Sequence, residues 1–229
     1  MQPSASTCWS VIRAAAAGAD RERAEFARRY AGPLRAYFAA RWRGGPREQE
    51  IDDTVQEVFV ECLRPGGALE RADSSRAPSG FRAFLYGVAR NVARRLEEKS
   101  ARPDRAAAAD VRLEAIPADD PTLSRAFDRA WAQSLLREAA ALQARKAAAA
   151  GAAAVRRVEL LRRRFGEDVP IRDLAVEWGV DAAELHHDYA RARREFLEAL
   201  RETVEFHEPG ATPGAIARQC EELARLLAD

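Results

Sequence analysis

Residues 51–63 read IDDTVQEVFVECL and residues 80–95 read GFRAFLYGVARNVARR, and these two stretches decide the fold. In the first, Ile51, Val55, Val58, Phe59 and Cys62 recur at i, i+4, i+7, i+8 and i+11, the spacing of one helical face. Asp53, Gln56, Glu57 and Glu61 fall on the other side and are expected to look outward. In the second, Phe81, Phe84, Leu85, Val88 and Val92 form the side to be buried. Arg82, Tyr86, Arg90 and Arg94 form a basic-aromatic row at i, i+4, i+8 and i+12. An acidic helix packed back to back with an arginine-lined helix gives one small domain two unlike faces. One suits a protein and the other a nucleic acid.

Working outward, the 229 residues are enough for one or two domains with real cores. A hydrophobic content of 47% with 32% charged residues indicates a globular chain, not a disordered one. Alanine inflates that apolar fraction and aromatics are only 7%, so thin helical bundles are expected, not thick sheets. The formal net charge of +1 is no signature of a nucleic-acid binder, but the charge is segregated. From Gly80 to Arg105 there are seven Arg or Lys against three Asp or Glu. A protein that touches both DNA and a large protein can be neutral overall and locally polarised.

Cys8, Cys62 and Cys220 lie far apart, with no CxxC or Cys/His cluster, so neither a zinc site nor a disulfide framework is indicated. The start, MQPSASTCW, lacks the cationic head and apolar core of a signal peptide, and no apolar run approaches about 18 residues. The expected location is the cytoplasm.

Periodicity is helical almost throughout. Cys8–Ala17 reads as a short helix stopped by Gly18, and Asp20 as the cap of a helix carrying Phe26 and Tyr30. Gly32-Pro33 is expected to break or kink the chain, with Leu34, Tyr37, Phe38 and Trp42 continuing the buried stripe. A turn-rich connection at 43–50 leads to the acidic helix at about 50–64, a Gly/Pro/Ser loop to about 80, and the arginine helix at about 81–98. Residues 100–123, with Pro103, Pro117 and Pro121, read as a flexible linker. Phe127, Trp131, Leu135 and Leu142 mark the next helix, and the alanine-rich Lys146–Ala154, broken by Gly151, reads as an exposed continuation or a hinge.

A following helix places Val155, Val158, Leu161 and Phe165 inward. Pro170 sits at a first-turn position of a short helix with Ile171, Leu174, Ala175 and Trp178 inside, and Gly179 supplies a turn. Asp181 with Glu184 forms a capping box that opens a long helix to about Val204, with Leu185, Tyr189, Ala192 and Phe196 inward. Helix, glycine turn and capped helix together make a helix-turn-helix. After the break FHEPGATPG, Thr212 can cap a last helix with Pro213 at its first position and Ile216, Cys220, Leu223 and Leu227 on one side.

DDTVQEVF and FRAFLYGVARN resemble the core of region two of bacterial sigma factors, in the extracytoplasmic-function (ECF) group of the sigma-70 family. WSVIRAAAAG near the start and the GG-containing loop after Leu63 look most like sigma factors common in planctomycete genomes. The resemblance covers most of residues 7–98 and returns at 155–200. It implies an all-α protein of two small helical domains: residues 1–98 as region two, 99–124 as linker, 125–204 as region four with the helix-turn-helix, and 205–229 as a C-terminal extension helix.

By this resemblance the acidic helix docks on the clamp helices of the largest RNA polymerase subunit, through Asp53, Gln56 and Glu57. Polar acceptors on a rigid helix suit an arginine-bearing coiled coil. The arginine helix then recognises the minus-ten promoter element and opens the strands: Arg82, Arg90, Arg94 and Arg95 bind phosphates, Asn91 hydrogen-bonds a base or backbone, and Tyr86 offers a stacking face. A flipped base is held by the loop within residues 64–80. At the minus-thirty-five element, Ala183, His187, Arg191 and Arg194 enter the major groove and Arg172 touches backbone. Glu184 accepts from cytosine or merely completes the capping box. Asp188 stands where the family often has a basic residue, and with Asp181 and Glu184 it repels phosphates, so affinity there is expected to be modest.

Blander readings stand beside these. The acidic helix alone is an ordinary solvated amphipathic helix, the arginine row can pair with Glu97 and Glu98, and the helix-turn-helix pattern is equally a packed helical pair. His186 and His187 point about 100° apart on a helix and do not chelate one ion. Asp52-Asp53 and Asp119-Asp120 lack a nucleophile motif or metal spacing, and no Walker loop, nucleophile elbow or dinucleotide fingerprint occurs. No enzymatic activity, cofactor, metal, membrane or small-molecule substrate is expected. The expected partners are bacterial core RNA polymerase and promoter DNA, with an anti-sigma factor as a further candidate. The rival reading is a stand-alone helix-turn-helix transcription regulator whose N-terminal domain oligomerises. A pure interaction module of the anti-sigma kind has no need of a basic stacking face.

Overall fold

The structure, a computed structural model, describes residues 14–15, 17–71, 80–101, 121–208 and 211–225. The fold is all-α, with no strand among the described residues. The chain divides into two compact units, Met1–Ser134 with His207–Pro209, and Leu135–Phe206 with Gly210–Asp229.

The first unit begins with α1, Asp20–Arg41. The expected break at Gly32-Pro33 does not occur, and Pro33 lies inside a continuous helix. Proline forfeits one hydrogen bond there. Burial of Pro33 itself, with Tyr30, Leu34, Tyr37 and Phe38 around it, offsets the loss. Asp20 is the first helical residue and not the cap; Ala19 holds that position without a side-chain bond. Asp20 still favours the helix start through its charge. The short helix expected at Cys8–Ala17 falls largely outside the described residues.

A turn and a 3-10 helix, Pro46–Glu50, lead into α2, Ile51–Leu63. Val55, Val58 and Cys62 are buried as the periodicity requires. Phe59, half-buried, meets Phe26 of α1 edge to face with centroids 5.7 Å apart. Beyond α2 the chain turns at Gly66 and Gly67. A Cβ on Gly67 would lie 2.6 Å from the Arg64 carbonyl oxygen and 2.8 Å from that of Glu61, so only glycine closes this turn. A short helix, α3 (Ala68–Arg71), stands where the sequence reads as loop, and residues 72–79 lie outside the described set.

Helix α4, Gly80–Ala101, buries Phe81, Leu85, Val88, Ala89, Val92 and Ala93 against α1 and α2. Its far end is fastened by Glu97, which accepts from Arg41 Nε at 2.8 Å, from Arg41 Nη2 at 2.9 Å and from Trp42 Nε1 at 2.9 Å. Helix α5, Pro121–Ala150, starts within the stretch expected as linker, at its last proline. Its Phe127 and Trp131 are buried in the first unit, with the Trp131 ring stacked on Tyr30 at 5.4 Å.

In the second unit, α5 continues to Ala150, Gly151 breaks it with φ 104°, and α6 runs from Ala152 to Gly166. Helices α7 (Ile171–Trp178), α8 (Ala182–His207) and α9 (Pro213–Arg225) follow. The inward face of α6 departs from expectation. Ala154, Arg157 and Leu160 are buried, whereas Val155 and Phe165 are about half exposed. The cause is a charged pair that hydropathy cannot see: Arg157 Nη2 donates to Glu195 of α8 at 2.6 Å and carries its arginine side of the helix inward. Leu160 then joins Ile171, Leu174, Ala175 and Leu185 in the core. Buried Gln143 donates to the Ala192 carbonyl at 2.9 Å, tying α5 to α8. In α9, Thr212 Oγ1 accepts from the Ala215 N–H at 3.3 Å, Pro213 is the first helical residue, and Cys220 and Leu223 are buried; Leu227 lies outside the described residues.

Candidate interfaces on the acidic and arginine helices

The outward stripe of α2 is narrower than its sequence suggests. Asp53 and Gln56 are exposed. Glu57 is half-buried and accepts from Arg95 Nη2 of α4 at 2.6 Å. Glu61, expected outside, is only 7% exposed; Arg64 donates to it at 2.9 Å and Arg95 Nη1 at 3.4 Å. Asp52 is engaged by Arg35 at 2.7 Å. The stripe also holds a residue that sequence reasoning passed over: Val60, 63% exposed, one turn beyond Gln56. Its signal was its register, since Val60 falls on the polar side of the α2 pattern.

On α4, every arginine of the proposed row is at least half-buried, and carboxylates of the protein itself attend three of them. Arg82 forms an ion pair with Asp128 of α5. Arg94 reaches Glu98 at 3.5 Å, and Arg95 is held by Glu57 and Glu61. Arg90 is half-buried. Glu97, the other carboxylate expected to pair with the row, is taken by Arg41 and Trp42; those hydrogen bonds hold its carboxyl below the usual range although burial opposes them. Tyr86 does not present an open stacking face. Its ring lies edge to face with Tyr37 and with Phe127, both at 5.3 Å. Asn91 is half-buried, and its amide nitrogen is shielded from solvent with no hydrogen-bond partner among the described residues.

Residues 26–102 match the family model of sigma-70 region 2. The match runs from within α1 through α4, and so takes in both the acidic and the arginine helices. It covers about a third of the chain, so the likeness to the sigma-70 family is one of this region. No curated protein and no solved structure matches the chain.

Downstream of the region 2 match, α7 and α8 are joined by a short turn at Gly179, where the helix-turn-helix is expected. Gly179 adopts the left-handed conformation at φ 62°, and the Val180 N–H returns to the Ala175 carbonyl at 3.0 Å, the glycine-terminated close of a helix. Asp181 Oδ1 accepts from the N–H groups of Ala183 at 2.8 Å and Glu184 at 3.1 Å. The cap is therefore one-sided, because Glu184 makes no return bond to Asp181 among the described hydrogen bonds.

Ala183, Glu184, His187, Arg191 and Arg194 are all exposed on α8, with Leu185 and Ala192 buried on its other side. Arg191 Nε reaches Glu195 at 3.2 Å, and exposed Arg172 sits beside Asp173 at 3.2 Å. Among the described residues no group of His, Cys, Asp or Glu has the geometry to hold a metal, and no helix is long and apolar enough to cross a membrane.

Proposed function

We propose that this chain is an ECF-type sigma factor, similar to those of planctomycetes, that delivers bacterial core RNA polymerase to specific promoters. The observation that carries the reading is the region 2 match over two helices whose outward faces differ in chemistry: Asp53 and Gln56 open to solvent on α2, and an arginine row on α4. In this reading residues 1–98 act as region two, 99–124 as linker, 125–204 as region four and 205–229 as an extension. Asp53, Gln56 and Glu57 meet the clamp helices of the largest polymerase subunit. Arg82, Tyr86, Arg90, Asn91, Arg94 and Arg95 serve the minus-ten element.

Strand opening needs no bond chemistry. It needs enough affinity for splayed bases to offset a few kcal/mol per unstacked step. Arg172, Ala183, Glu184, His187, Arg191 and Arg194 serve the minus-thirty-five element. The exposure of Ala183, Glu184, His187, Arg191 and Arg194 on α8, and of Arg172 on α7, supports this role, and Asp181, Glu184 and the half-buried Asp188 keep the affinity modest. The protein works in the cytoplasm, where polymerase and chromosome are, and an anti-sigma factor is a further partner in this reading.

The test is transcription of fragmented genomic DNA by purified core polymerase with and without the protein, with start sites sequenced. Protein-dependent starts that share upstream elements are expected. Tight, symmetric binding to duplex DNA without polymerase, and no new starts, would replace this reading with a stand-alone helix-turn-helix regulator.

A further inference from the structure

The first turns of α5 lie over the first turns of α4, and they do so with the chemistry of a nucleic acid. Asp128 sets a carboxylate on the Arg82 guanidinium, where a phosphate belongs in the proposed function. Phe127, wholly buried, meets Tyr86 edge to face at 5.3 Å and so occupies space beside the ring on which an unpaired base would stack. Trp131, one turn on, stacks on Tyr30 and on Phe127, fixing the segment in register. Single-stranded nucleic acid would need this arginine for a phosphate and this tyrosine for a stacked base, and the segment takes up both.

We propose that residues 121–134 act as an internal competitor for the DNA strand taken by α4, with Asp128 in the place of a phosphate and Phe127 in the place of a base. The inference rests on the proposed minus-ten role of Arg82 and Tyr86. A strand that engages this end of α4 must part Arg82 from Asp128 and displace Phe127 from Tyr86. The free chain thereby binds the strand more weakly than α4 alone would.

The ion pair is the component to perturb, because both partners are partly exposed, with side-chain accessibilities of 42% for Arg82 and 46% for Asp128. Asp128→Asn therefore keeps size and fold while removing the competing charge. An exposed pair of this kind is worth a factor of about two to five. Phe127 is unsuitable, since truncating a buried ring endangers the fold.

The experiment is fluorescence anisotropy of a labelled single-stranded oligonucleotide with the full chain at two salt concentrations. It compares wild type, Asp128→Asn, Arg82→Ala and the double variant, with helicity and melting of each checked by circular dichroism. Asp128→Asn is expected to bind about two- to fivefold tighter, with a steeper salt dependence approaching one further released counterion. That gain should vanish in the Arg82→Ala background. Unchanged or weaker binding by Asp128→Asn overturns the proposal, as does no binding by any of the four chains. A gain that survives Arg82→Ala also overturns it, because it reports only bulk charge. A parallel titration of wild type with core polymerase keeps the two claims apart: its failure removes the sigma reading, whereas the oligonucleotide series reads the competitor directly.

Discussion

Glu97 is the point at which the region 2 unit can be loosened with one atom-scale change. Its carboxylate accepts three hydrogen bonds, at 2.8, 2.9 and 2.9 Å, from Arg41 and Trp42 at the end of α1. Arg41 is well shielded, its side chain only 16% exposed, while Glu97 is 36% exposed. Glu97→Gln keeps the shape but removes the charge, turning charge-assisted bonds into ordinary ones of about half the strength. Bonds to charged groups are worth about 1.5–3 kcal/mol, and the exposure of Glu97 reduces that range through screening, so the expected loss is about 1–2 kcal/mol.

At about 4–8 °C per kcal/mol for a small domain, that lowers the melting temperature by about 4–16 °C. The sign of the pH dependence follows from the depressed carboxyl: the stabilisation is present above the unfolded value near 4.3 and is lost as pH falls through the folded one. Thermal melts of both proteins by circular dichroism from pH 7 to pH 3.5 should therefore show curves that converge in acid. Equal melting temperatures at pH 7, or a gap that stays constant into acid, would refute the reasoning.

Two further substitutions probe the fold. Glu195→Ala strands Arg157, whose side chain is only 8% exposed, without its carboxylate; breaking such a pair should cost about 3 kcal/mol in urea denaturation, and a loss under about 0.5 kcal/mol would contradict the arrangement. Gly67→Ala forces a methyl group to within 2.6 Å of a carbonyl oxygen, and should cost about 1–3 kcal/mol in the same assay, whereas a neutral result would mean that the turn yields freely.

Much of the framework was legible because periodicity reports local burial. The apolar stripe of α2 at Val55, Val58 and Cys62, that of α4 at Phe81, Leu85, Val88 and Val92, and the glycine turn at Gly179 all follow from spacing alone. What spacing misses is pairing between distant segments. Arg157 and Glu61 are charged residues that their partners, Glu195 and Arg95, allow to be buried, and no hydropathy pattern marks either. Pro33 reads as a break because a proline costs a hydrogen bond, but the apolar packing around it outweighs that cost. Tyr86 reads as an open ring because nothing local covers it; Phe127, forty-one positions away, does. The α8 residues facing solvent were readable from the same periodicity that buries Leu185 and Ala192.

The central claim is that α2 is a docking surface for RNA polymerase. Asp53 and Gln56 are the residues to reverse, since both are exposed, whereas Glu57 is bound to Arg95 and its reversal would disturb α4 as well. The measurement is a titration of fluorescently labelled protein with purified bacterial core RNA polymerase, alongside the Asp53→Arg/Gln56→Arg variant. The account predicts tight binding by the wild type and its loss in the variant, with both proteins folded at the assay temperature. Absence of binding at micromolar core, or equal binding by the two proteins, would contradict it.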